Sequence, residues 1–129
     1  MVTLLEDVNN ALKEVNSQVA YRVRNEMAYY LSYALEGGIF TYEQAVDNEL
    51  MQKILPRIQG SGQSTEKALR GILNAIVQDH SFNDNELSTE VEKYISDKKG
   101  TDYPYKRSVE KIQFMLRRLE QDGYTSYWL

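Results

Sequence analysis

The chain has 129 residues, 42% of them hydrophobic and 26% charged, which suits one compact domain with enough apolar residues for a core. It has no cysteine, which excludes disulfides and thiolate metal sites, and its net charge of −4 argues against a domain held to nucleic acid by phosphate contacts. No apolar run approaches the roughly 18 residues needed to span a bilayer, and Met1-Val2-Thr3-Leu4-Leu5-Glu6-Asp7 lacks the basic-then-apolar order of a signal peptide. A cytoplasmic protein with no membrane partner is the simplest reading.

Thr3-Leu4-Leu5-Glu6 fits a capping box, in which hydroxyl and carboxylate satisfy free N–H groups at a helix start. Leu4, Leu5, Val8, Leu12 and Val15 then share one face, which predicts a first helix over about 3–16. A second follows over about 20–36, with Val23, Met27, Tyr30, Leu31 and Ala34 inward, and ends at Gly37-Gly38. Thr41-Tyr42-Glu43-Gln44 is another capping box and opens a third helix over about 42–55. Leu50, Ile54 and Leu55 line one face of it, and Pro56, which has no N–H to donate, kinks or stops it. Arg57 and Ile58 are thereby brought to a fixed corner, followed by the flexible Gly60-Ser61-Gly62-Gln63.

Ser64 is the expected N-cap of a fourth helix over about 65–79, with Ala68, Ile72, Leu73, Ala75 and Ile76 inward. Asn83 and Glu86 are expected to cap a fifth, weakly apolar and peripheral helix to about 97, with Leu87, Val91, Tyr94 and Ile95 inward. After an exposed loop at Asp97–Asp102, a sixth helix over about 106–121 turns Val109, Ile112, Met115, Leu116 and Leu119 inward and ends at Gly123. No segment alternates like a strand. The predicted fold is all-α, about six helices in one small bundle spanning residues 1–129 as a single domain.

Chemistry is sparse. The single histidine, His80, falls at the predicted end of the fourth helix, where it suits the negative end of the dipole better than a ligand role. Gly60-Ser61-Gly62-Gln63-Ser64-Thr65 resembles a phosphate loop but follows a helix and lacks the closing lysine. The pairs Glu6/Asp7, Asp47/Glu49 and Glu90/Glu92 have no histidine or cysteine companions, so they read as solvated faces. Tyr29, Tyr30 and Tyr33 share a helix and read as packing with hydroxyls reaching out. Arg22 and Arg24 stand in the first turn of the second helix, where a cation opposes the dipole. They therefore suggest an external anion, since a guanidinium can grip phosphate oxygens in bidentate fashion. The plainer reading of the same pattern is a surface pair of Arg22 with Glu26.

Three stretches resemble the C-terminal part of McrB-like AAA+ NTPases, the motor subunits of modification-dependent restriction systems. The first is Leu4–Leu12 followed by Tyr21-Arg22-Val23-Arg24-Asn25-Glu26. The second is Gln52-Lys53-Ile54-Leu55-Pro56-Arg57-Ile58-Gln59-Gly60-Ser61. The third is Ser108–Lys111 through Met115-Leu116-Arg117-Arg118-Leu119 to Gly123-Tyr124-Thr125-Ser126-Tyr127-Trp128. Residues 83–102 match no motif. The resemblance implies a helical lid that follows an α/β nucleotide-binding domain. It implies a sensor-2-like arginine reaching the γ-phosphate, best matched by Arg22 with Arg24 as alternate, and makes Arg57 a candidate inter-subunit contact. The implied parent is a ring-forming GTPase or ATPase using GTP or ATP with Mg²⁺ and driving a McrC-like nuclease, with DNA recognised through other domains. The chain has no phosphate-loop lysine and no acidic Mg²⁺-binding strand, so it is expected to be a fragment of that parent, without a catalytic residue or metal site of its own. The competing expectation is a stand-alone helical interaction module, an adaptor or regulator with no nucleotide role.

Overall fold

The computed structural model describes residues 2–13, 29, 32, 36–38, 41–77, 79–83, 85–98, 100 and 103–127. Its helices are α1 (Val2–Lys13), α2 (Tyr42–Glu49), α3 (Gly62–Ile76), α4 (Leu87–Asp97) and α5 (Lys106–Asp122), and the described residues contain no strand. The all-α expectation holds. Of the second predicted helix, Tyr29, Ser32 and Glu36 are helical and exposed, with the Gly37-Gly38 turn after them. Its predicted inward residues, together with Arg22 and Arg24, lie outside the described residues.

α1 already includes Val2, so Thr3 stands inside the first turn rather than ahead of it; the Thr3 side chain of the expected capping box lies outside what is described. Val8 and Ala11 are buried. α1 packs on α3 at very short range: a Cβ built on Gly71 would stand 2.8 Å from the Cβ of Ala11. Only glycine lets the two backbones come this close.

The Thr41 capping box forms as expected: Gln44 N–H donates to Thr41 Oγ1 (3.2 Å), and Thr41 N–H donates to Gln44 Oε1 (3.1 Å). The helix then changes geometry before Pro56. Leu50–Ile54 forms a π-helical turn, with Leu55 N–H reaching back to the Leu50 carbonyl, and Leu55–Arg57 is a 3₁₀ turn. Proline supplies no N–H and its ring crowds the carbonyl four residues back, so a widened turn ahead of it relieves both problems. Leu50, Ile54, Leu55 and Ile58 are fully buried while Arg57 is exposed. The corner is therefore apolar inward and cationic outward.

α3 starts at Gly62 with Ser61 at the N-cap position, three residues ahead of the expected Ser64. The extended backbone of Ser61 sets that start, and Thr65 Oγ1 donates to the Ser61 carbonyl (3.3 Å). Ala68, Leu69, Ile72, Leu73, Ala75 and Ile76 are buried along one face. The helix stops at Ile76 rather than 79 because the chain folds back on it. Phe82 N–H donates to Asn74 Oδ1 (2.8 Å), and the Phe82 carbonyl accepts from Arg70 Nη1 (3.0 Å).

α4 begins at Leu87, and Asn83 is not its cap: its side-chain amide donates to Ser81 Oγ (2.9 Å) instead. Leu87 and Val91 are buried, Tyr94 and Ile95 half-buried, and the helix packs on α5. α5 buries Val109, Ile112, Met115 and Leu116 as expected, and also Ser108 and Gln113. Gly123, in the left-handed conformation (φ 71), closes it with its N–H on the Leu119 carbonyl. Beyond it, Gly60 and Thr125 exchange both backbone hydrogen bonds (3.0 and 2.9 Å), tying the tail to the arginine corner. No helix among the described residues is long and apolar enough to cross a membrane.

Candidate functional site

The segment from α2 through the corner runs beside α5 and is pinned at both ends. At the far end is the Gly60–Thr125 pair. At the near end the buried Asp47 carboxylate accepts from the Ser108 backbone N–H (3.0 Å) and from Ser108 Oγ (2.5 Å). Asp47 thus caps a helix on another part of the chain, placing a negative charge where the α5 dipole is positive. Asp47 was expected to lie on a solvated face; its burial and its role as a cap correct that. Arg107, one residue before Ser108, donates from Nη1 to Asn48 Oδ1 (3.0 Å).

A groove of about 370 Å³ lies over this junction, lined by residues of the α2 start and of the Tyr103–Arg107 turn. Tyr105 holds a left-handed conformation (φ 61, ψ 30), the only non-glycine residue among those described to do so. That conformation is strained for a bulky side chain and aims the chain sharply into α5. The neighbouring Tyr103 is buried, and its hydroxyl has no hydrogen-bond partner among the described residues. Burial, with the Glu110 and Asp47 charges adding to it, pushes the Tyr103 phenol up to about 12.

The unfolded chain releases the Tyr103 proton near its ordinary value of about 10, while the folded chain holds it to about 12. Stability is therefore full below about pH 10 and falls as pH rises toward about 12. Tyr103→Phe, which also removes an unpaired buried hydroxyl, is expected to be neutral or up to about 1 kcal/mol more stable at neutral pH. Its alkaline decline in denaturant midpoint should be shallower than that of the wild type. Tyr94, pushed up to about 12 mainly by burial and then by its bond to Asp79, keeps part of the decline in the variant.

Arg22 and Arg24 lie outside the described residues. Arg57 is at the exposed corner, its Nε donating to the Lys53 carbonyl (3.1 Å), which fixes the outward course of the side chain. His80 is not at a helix end, because α3 has already stopped; its Nε2 is 2.7 Å from Glu90 Oε2 and its ring packs edge-on against Phe82 (4.6 Å). Asp79 receives Lys98 Nζ (2.7 Å) and the Tyr94 hydroxyl (3.0 Å), and these bonds hold its carboxyl below the usual range. Glu92 meets Arg117 across the α4–α5 seam (2.5 Å). Gly60–Thr65 does not form a phosphate cradle, since the Gly60 N–H is committed to Thr125 and Gly62 already begins α3. At the tail, Lys111 Nζ sits over the rings of Phe114 (4.6 Å) and Tyr127 (4.3 Å), while Tyr124 is exposed.

Sequence reasoning missed Tyr103 and Arg107, and it took Asp47 with Glu49 for a solvated face although both are buried. Among the described residues, no group of three or more His, Asp or Glu is arranged to hold a metal ion. What the arrangement offers chemically is charge presentation: an arginine corner and a basic helix start, both on rigid supports.

No curated protein matches the chain, and no solved structure matches it. A family model described as "Domain of unknown function (DUF8727)" matches residues 1–124, and the chain belongs to that family.

Proposed function

We propose that this domain is the helical lid of a McrB-like AAA+ motor, working over a triphosphate bound by an α/β domain of the parent protein. The observation that carries the reading is the joining of two of the resembling stretches into one unit. The Leu-Pro-Arg-Ile corner and the α5–tail segment are far apart in sequence, yet are tied by the Gly60–Thr125 pair and share one core. Arg57 is held outward from that unit, as a contact to a neighbouring ring subunit requires.

In this reading the parent's α/β domain holds GTP or ATP with Mg²⁺, whose charge neutralisation is the chemistry the metal supplies. The lid contributes position and charge. Arg22, with Arg24 as alternate, places a guanidinium against the γ-phosphate and stabilises charge that develops during transfer. A ring of such subunits would drive a McrC-like nuclease, with DNA held elsewhere in the parent.

Exposed Tyr29 and Tyr124 favour a second reading, a helical interaction module without a nucleotide role. The reading frame ahead of Met1 separates the two. The lid reading expects a Walker-type phosphate loop encoded upstream in frame; a stop codon and ribosome-binding site there would leave the interaction module.

A further inference from the structure

Beyond α5 the chain turns at Gly123 and lies back along the body it has just left. Gly60 and Thr125 exchange both backbone hydrogen bonds (3.0 and 2.9 Å), and no strand among the described residues extends that bridge. Further on, Tyr127 packs against the edge of the core. Lys111, half-buried on α5, sets its Nζ 4.3 Å from the centre of the Tyr127 ring and 4.6 Å from that of Phe114. Gly123 and Tyr124, where the segment leaves the helix, are exposed.

Two opposing effects meet in this segment. A cation is attracted to the negative face of an aromatic ring, and Lys111 serves two rings at once, so it clasps Tyr127 to α5. Thr125 acts the other way. It is fully buried, and its Oγ1 has no hydrogen-bond partner among the described residues. Seating it strips water from the hydroxyl and returns no bond for it. Even a complete two-stranded hairpin is marginal in water, and a single bridge has fewer bonds to set against that loss.

We propose that Gly123–Tyr127 is a strap that opens as one unit while the helices stay folded. Lys111 is its clasp, and the unpaired Thr125 hydroxyl is the built-in force against closure. Opening removes the far pin of the segment that carries Arg57, three residues before Gly60. The strap therefore sets whether the arginine corner is fixed or loose. The inference needs no nucleotide role for Arg22, so its failure leaves the lid reading standing.

Amide hydrogen exchange followed by NMR on this chain tests it. In the wild type, the Gly60 and Thr125 N–H groups should show matching protection, well below that of Ile72 and Leu73 in the middle of α3. Lys111→Met keeps the aliphatic stem and removes the charge, and should lower protection at both amides about fivefold. Lys111→Arg, whose guanidinium also stacks on rings, should keep the wild-type value. Thr125→Val keeps the shape and removes the unpaired hydroxyl, and should raise protection at both about five- to tenfold. The α3 amides should be unchanged in all three, and circular dichroism establishes that each variant is folded. Wild-type protection at Gly60 and Thr125 equal to that in α3 overturns the proposal, because the tail would then open only on global unfolding. So do two amides that respond by different factors, an unchanged value in Lys111→Met, an equal loss in Lys111→Arg, or no gain in Thr125→Val.

Discussion

Phe82→Ala is expected to lower the unfolding free energy by about 3–5 kcal/mol, the range for deleting a fully buried aromatic side chain. Among the described residues, Phe82 is the largest side chain that is completely buried. It sits in the return from α3 to α4 rather than in a helix, with its ring edge-on to His80 and to Tyr94 (4.6 and 5.7 Å). Its backbone is held as firmly as its ring, since Asn74 and Arg70 together take up both its N–H and its carbonyl. Those polar bonds cannot relax into the cavity, so collapse around an alanine is limited and the loss should fall toward the upper part of the range. Phe82→Leu keeps most of the volume and should cost about 1–1.5 kcal/mol. Urea denaturation reads both values, as a shifted midpoint at unchanged slope. A loss below about 1 kcal/mol for alanine would mean that this return is not part of the core.

Asp47→Ala is expected to cost about 2–4 kcal/mol. The residue is buried, and its Oδ1 serves two donors of Ser108, one of them a backbone N–H in the first turn of α5. Removing it strands both donors and takes a charge from a helix start, effects of about 1.5–3 and about 0.3–1 kcal/mol that overlap. Asp47→Asn retains an acceptor and should lose about half as much. Ser108→Ala in the Asp47→Ala background should then cost little, because the partner is already gone; a double-mutant cycle measures that coupling. Hydrogen exchange in the first turn of α5 should speed up in Asp47→Ala. Unchanged exchange there would show that the cap is not what holds the helix start.

The helical faces were legible because burial repeats at the helical period. Ala68, Ile72, Leu73, Ala75 and Ile76 in α3, and Val109, Ile112, Met115 and Leu116 in α5, are buried as that spacing predicts. Local stop and start chemistry was legible where it is local, at Thr41–Gln44 and at Gly123. Where the deciding partner is distant in sequence, spacing could not reveal it. Asp47 finds Ser108 across 61 positions, and Phe82 ends α3 early by binding its Asn74 and Arg70 side chains. The widened turn at Leu50–Ile54 keeps an apolar pattern that a plain helix would share, so only the proline hinted at it. Of the candidate site, the Arg57 corner was foreseen from Pro56, whereas the groove between the α2 start and the Tyr103–Arg107 turn emerges only once distant parts of the chain meet.

In the proposed reading, these helices lend an arginine to a triphosphate held by the rest of the parent protein. Steady-state GTP and ATP hydrolysis by the full-length protein tests it most directly, with wild type set against Arg22→Ala and Arg24→Ala. The expected result is a fall on the order of 10²-fold for Arg22→Ala, the scale for losing one preorganised charge at a reacting phosphoryl group, with the melting midpoint unchanged. Hydrolysis at the wild-type rate in both variants would contradict it.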